Sequence, residues 1–92
     1  MEYIVLRSFI KKFDSYNKHE QEFITQTLER IKEYMETNNA PYGLRIKKLS
    51  KKIYEGRINI HLRIAYFHEN NLVKFFCLGN HDDIKRCLKT FK

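Results

Sequence analysis

Three segments decide the fold: Ile53-Tyr54-Glu55-Gly56-Arg57-Ile58-Asn59, then Leu62-Arg63-Ile64-Ala65-Tyr66-Phe67, then Leu72-Val73-Lys74-Phe75-Phe76-Cys77-Leu78. Their side chains alternate with period two and are rich in β-branched and aromatic residues, which reads as strands. Between the second and third lies Glu69-Asn70-Asn71. Asparagine tolerates positive φ, so this tripeptide predicts a tight hairpin turn. The three segments thus form an antiparallel meander. The last is apolar enough to be its central strand, and Gly79 breaks it.

Working towards the N-terminus, the period changes to that of a helix. Asn17-Lys18-His19-Glu20 matches a capping box, with Asn17 as N-cap. Phe23, Ile24, Leu28, Ile31, Tyr34 and Met35 then recur at three- and four-residue spacing as one apolar core stripe. Asn38-Asn39 and Pro41 end it, placing the helix at about 17–37. A helix-like piece, Phe9 to Phe13, and a short strand, Tyr3 to Leu6, precede it. Asn39 to Gly43 form a loop. Towards the C-terminus, Asp82 to Phe91 fits a short helix with Ile84 and Leu88 inward. Its acidic first turn and basic later turns suit the helix dipole. The order β-α-α-β-β-β-α predicts an α+β domain, with helices on one face of a mostly antiparallel sheet.

A length of 92 residues suits a single domain over residues 1–92 and excludes a two-domain dinucleotide enzyme. No apolar run approaches the roughly 18 residues of a membrane span. Glu2 and the short run Tyr3 to Leu6 do not suit a signal peptide, so a cytoplasmic protein is expected. Cys77 and Cys87 make no disulfide framework, and Cys77 reads as a core side chain. No residue pair has metal-ligand spacing, and there is no phosphate-binding glycine loop, so neither metal nor cofactor is expected.

The charge is divided unevenly. Eighteen Lys and Arg against eleven Asp and Glu give a net +7. Residues 1–43 carry six basic and seven acidic side chains, and residues 44–92 carry twelve and four. A basic half points to a polyanion, most often nucleic acid, or else to a solvated surface. Within it Arg45, Lys47, Lys48, Lys51 and Lys52 follow one another with no carboxylate between them. Such a run needs a solvated loop or an anionic partner. Tyr42 and Tyr54 flank it and are able to stack on bases.

Strand alternation puts Glu55, Arg57 and Arg63 on one face, away from the helices. They form either a surface ion-pair ladder or part of a site. Gly79-Asn80-His81-Asp82-Asp83 joins the last strand to the terminal helix. There Asn80 or His81 is a helix cap, or His81 exposes a ring able to transfer protons near neutral pH.

These segments carry a family resemblance. Leu49-Ser50, Ile53-Tyr54-Glu55-Gly56-Arg57-Ile58, Leu62-Arg63-Ile64-Ala65-Tyr66 and Gly79-Asn80-His81-Asp82-Asp83-Ile84 resemble the RelE/ParE superfamily of bacterial toxins. The likeness is nearest to the RelE, HigB and YoeB-like messenger-RNA interferases. It implies a RelE-like fold, with strand and helical hairpin packed on a mostly antiparallel sheet and a short C-terminal helix. It also implies a type II toxin that cleaves mRNA at the ribosome without metal or cofactor and is neutralised by a cognate antitoxin protein. In such chemistry the ribose 2′-OH attacks the adjacent phosphate. The resemblance assigns Arg63 to the phosphate, His81 to acid–base transfer and Glu55 to a catalytic carboxylate. It places Lys47, Lys48, Lys51 and Lys52 where other members dock RNA, and Arg45, Arg57 and Arg86 of the basic half are expected to join them in RNA binding. The tyrosine that some members carry near the C-terminus has no counterpart after His81. Two other readings share these features: a ParE-like toxin directed at DNA gyrase, and a non-catalytic RNA- or ribosome-binding module.

Overall fold

The computed structural model describes residues 1–91. In chain order it contains β1 (Glu2–Val5), α1 (Arg7–Asp14), α2 (Lys18–Thr37), β2 (Ile46–Ser50), β3 (Ile53–Arg57), β4 (Arg63–Glu69), β5 (Leu72–Gly79) and α3 (His81–Thr90). The five strands form one sheet in the order β1-β5-β4-β3-β2. Only β1 and β5 run parallel; the other three pairings are antiparallel. This is the RelE-like α+β architecture that the resemblance implies.

Local chemistry accounts for the element ends. Asn17 Oδ1 accepts the Glu20 N–H at 2.8 Å, closing the expected capping box of α2. Asn38 ends that helix in the left-handed region at φ 62°. Asn70 turns the β4–β5 hairpin at φ 55°. The basic segment, for which the sequence pattern predicts no strand, is the edge strand β2, hydrogen-bonded to β3 and bulged between Lys48 and Ser50. Strand β3 stops at Arg57, two residues early. Asn59 Oδ1 accepts the N–H groups of His61 and Leu62, which closes the β3–β4 turn.

The helices divide between the two faces of the sheet. Ile24 and Ile31 of α2 and Phe9 of α1 pack with Ile64, Tyr66, Val73, Phe75 and Leu78 on the first face. Gly56 admits α2 closely: a Cβ there would stand 2.9 Å from Ile31 Cδ1. On the second face Ile84 of α3 packs against Ile53, Ala65, Phe76 and Cys77. This places α3 opposite α1 and α2, where the sequence suggested a single helical face. The cause lies in β5. Ala65 pairs with Cys77 and Tyr66 with Phe75, so Phe76 is the extra residue of a β-bulge. The bulge turns Phe76 and Cys77 to one side and Phe75 and Leu78 to the other. Both faces of β5 are therefore apolar and both need cover.

Two further expectations are corrected. Phe23, placed in the core stripe of α2, is exposed, and its ring stands nearly perpendicular to that of His19 with centroids 4.8 Å apart. Cys77 is buried as expected, but it is disulfide-bonded to Cys87, joining β5 to α3. Alternation on β5 and the helical turn of α3 bring the two sulfurs together across the second face; ten residues of sequence separation do not reveal that.

Candidate active site

One end of the sheet gathers cationic side chains in rows. The Arg57 N–H donates to the Arg45 carbonyl at 3.2 Å, Arg57 stands opposite Arg63, and Arg63 stands opposite Gly79. The next row runs Lys47, Glu55, Ala65 and Cys77. Residues at alternate positions share a face, so Arg45, Lys47, Glu55, Arg57 and Arg63 all project from the face that bears α3. Asn80 then turns the chain into α3. It accepts the Asp83 N–H at 2.9 Å, and Asp83 Oδ2 accepts the Asn80 N–H at 2.9 Å. Asn80 is thus the helix cap, which leaves His81 exposed as the first helical residue.

Arg45, Lys47, Glu55, Arg57, Arg63 and His81 line one cavity of about 270 Å³. Four permanent cations face a single carboxylate there, so the cavity carries a net positive charge that favours anions. Glu55 is buried, and Arg63 Nε lies 2.9 Å from its Oε1. The approach is off the N–H axis, so this is an ion pair and not a hydrogen bond, and Oε1 has no donor. The Glu55 carboxylate holds the Arg63 guanidinium by charge at its Nε side.

Asp83 anchors the helix that carries His81. The Asn80 N–H holds its carboxyl below the usual aspartate range against the opposing effect of burial, with help from Lys12 and Arg86. Lys12 Nζ, on α1, lies 3.9 Å from Asp83 Oδ2. In the sequence Asp83 reads only as part of the acidic first turn of α3; the signal of its anchoring role is the Asn-x-x-Asp spacing of a capping box. Gly79 is the residue that permits this clamp, because a Cβ there would meet Asp83 Cβ at 2.5 Å.

Four of the residues assigned to RNA binding lie elsewhere. Lys48 pairs with Tyr54 in the ladder and projects from the opposite face. Lys51 is exposed in the β2–β3 turn. Lys52 occupies that turn at φ 72° and is ion-paired with Glu69 of β4. Arg86, on α3, pairs with Asp83 and lines a different groove. Of the two tyrosines, Tyr42 is fully exposed, whereas Tyr54 stacks on Tyr66 at 5.7 Å on the α2 face. Tyr54 is therefore a packing residue and not a platform beside the cations.

No family model matches the sequence, and no curated protein matches it. In structure the chain is similar to a chain of the RelB–RelE antitoxin–toxin complex from Methanococcus jannaschii. The TM-score is 0.65 at 18% identity, over 90% of this chain and 95% of that one. It is also similar to the conserved hypothetical protein HP0894 from Helicobacter pylori, with TM-score 0.46 and 16% identity over 91% and 98% of the two chains. The first of these likenesses carries the fold. Among the described residues, no helix is long and apolar enough to cross a membrane.

Proposed function

We propose that this chain is the toxin of a toxin–antitoxin pair, an endoribonuclease that cleaves messenger RNA by attack of the ribose 2′-OH on the adjacent phosphate. The supporting observation is the cavity itself: four cations, one buried carboxylate and one exposed imidazole converge at one end of the sheet. The structural likeness to a RelB–RelE complex chain supports an antitoxin as partner.

The reaction needs three services: a proton must leave the 2′-OH, the phosphorane must be stabilised, and the 5′-oxygen must be protonated. Arg63 takes the scissile phosphate on its terminal nitrogens, where charge grows in the transition state. Arg45, Lys47 and Arg57 seat the neighbouring backbone. Glu55 holds Arg63 in place and, as the one carboxylate lining the cavity, accepts the 2′-OH proton. His81 protonates the leaving oxygen. Message and ribosome are the substrate context of this reading.

The test is cleavage of a defined message, with and without translating ribosomes, in the presence of a chelator. The expected products carry 2′,3′-cyclic phosphate and 5′-OH ends, and a 2′-deoxy substitution at the scissile nucleotide blocks them. His81→Gln keeps a hydrogen-bonding side chain but transfers no proton, so single-turnover cleavage falls by about 10²–10⁴. Intact message under both conditions refutes the reading. Parent-like cleavage by His81→Gln removes His81 from it.

A further inference from the structure

Another groove, of about 480 Å³, lies between α1 and α3 and is lined by both half-cystines. Cys77 is buried, whereas Cys87 is half-exposed on the groove side of α3. Lys12 and Arg86 stand on its walls with Asp83 as the only carboxylate, so the groove favours anions. Its size is within the range of small-molecule sites.

We infer that this groove is a thiol–disulfide exchange site, at which a small anionic thiol opens the Cys77–Cys87 bridge and releases the helix that carries His81. The thiolate of the reductant attacks Sγ of Cys87, the less buried half-cystine. The sulfur–sulfur bond breaks, and Cys77 Sγ leaves with the electron pair and takes up a proton. A second reductant thiol attacks the mixed disulfide on Cys87, which leaves Cys87 as a thiol and the reductant as its own disulfide. Two electrons pass to the protein. Lys12 and Arg86 attract the incoming anion and stabilise thiolate character at Cys87. Cys77 Sγ already lies 3.7 Å from the Asp83 carbonyl oxygen, so the freed thiol has an acceptor waiting.

The consequence follows from how α3 is held. At ten residues it is too short to persist without docking. Once the bridge opens, α3 is held by Ile84 and Leu88 in the second core, by Phe91 against Phe76 at 4.0 Å and Phe67 at 5.9 Å, and by the Lys12–Asp83 pair. The core beneath α2 contains neither cysteine, so the rest of the fold stands. Loosening α3 withdraws His81 from the cationic cavity. The exchange itself does not depend on the RNA-cleavage reading.

The experiment treats the native oxidised protein with millimolar reduced glutathione, traps thiols with a maleimide for mass spectrometry, and measures amide hydrogen exchange before and after. Reduction is expected under native conditions. Exchange in residues 81–90 then speeds by at least about tenfold while α2 is unchanged. Replacing Lys12 and Arg86 by Gln slows reduction by anionic glutathione about threefold or more and leaves reduction by cationic cysteamine unchanged. A bridge that yields only on denaturation, or an α3 whose exchange is the same in both redox states, overturns the inference. Equal slowing with both thiols overturns the assignment of the groove as the entry site.

Discussion

Arg57 of β3 and Arg63 of β4 stand directly opposite each other in the antiparallel ladder, with both side chains on the face that bears α3. Like charges in cross-strand register are destabilising, where most such positions pair opposites. Glu55, the neighbouring residue on that face, relieves only Arg63. Local conflicts of this kind persist where a ligand supplies the missing counter-charge.

Replacing Arg57 by Thr removes the conflict and adds a good strand former. Stability is expected to rise by about 0.2–1 kcal/mol in urea denaturation, while affinity for a short RNA falls. A variant that is both less stable and equally tight would show that Arg57 is a structural residue.

Arg63 is a harder position to probe. Arg63→Ala leaves Glu55 buried without its partner, at a cost of about 3–5 kcal/mol. That is a large share of the roughly 5–15 kcal/mol available to a small domain. Arg63→Lys keeps the charge and loses the planar fork, so near-parent stability with cleavage down about 10²-fold is expected. Undiminished cleavage by Arg63→Lys would mean that charge alone suffices there.

The basic run divides into two sets that salt titration distinguishes. Log affinity for single-stranded RNA falls with log salt by about 0.7 per phosphate neutralised. Neutralising Arg45 and Lys47 together is expected to flatten that slope by about 1–1.5. Neutralising Lys51 and Lys52 is expected to leave it unchanged, and loss of the Lys52–Glu69 pair costs less than about 1 kcal/mol. Equal effects of the two pairs would disperse the site over the whole edge of the sheet.

Asp83 makes the fold sensitive to acid. Its carboxyl titrates lower in the folded chain than in the unfolded one, chiefly through the Asn80 N–H. A depressed folded value stabilises above the unfolded value, about 3.9, and that contribution is lost as pH falls through the folded value. Asp83→Asn should cost about 1–2 kcal/mol at pH 7, and the gap from the parent should begin to narrow below about pH 4 and close as pH falls through the folded value. Denaturation midpoints of both proteins across pH measure it, and a pH-independent gap would put the loss down to packing.

Local chemistry made much of this molecule legible in its sequence. The Asn17 capping box, the three- and four-residue period through Ile24 and Ile31, the Asn70 turn and the alternation of β3 and β4 are short-range features, each decided by neighbours within a few residues. That alternation also placed Glu55 and Arg57 on one face of β3, and the register of the hairpin then set Arg63 beside them. The tertiary structure decided what depends on register and bulges. The pairing of β2 with β3 drew Arg45 and Lys47 to the cavity, and the turn that follows sent Lys51 and Lys52 away from it. The Phe76 bulge gave β5 two apolar faces, and so put α3, its disulfide and His81 on the side where the arginines project. A bulge is a mismatch between two strands and carries no signature in either one alone.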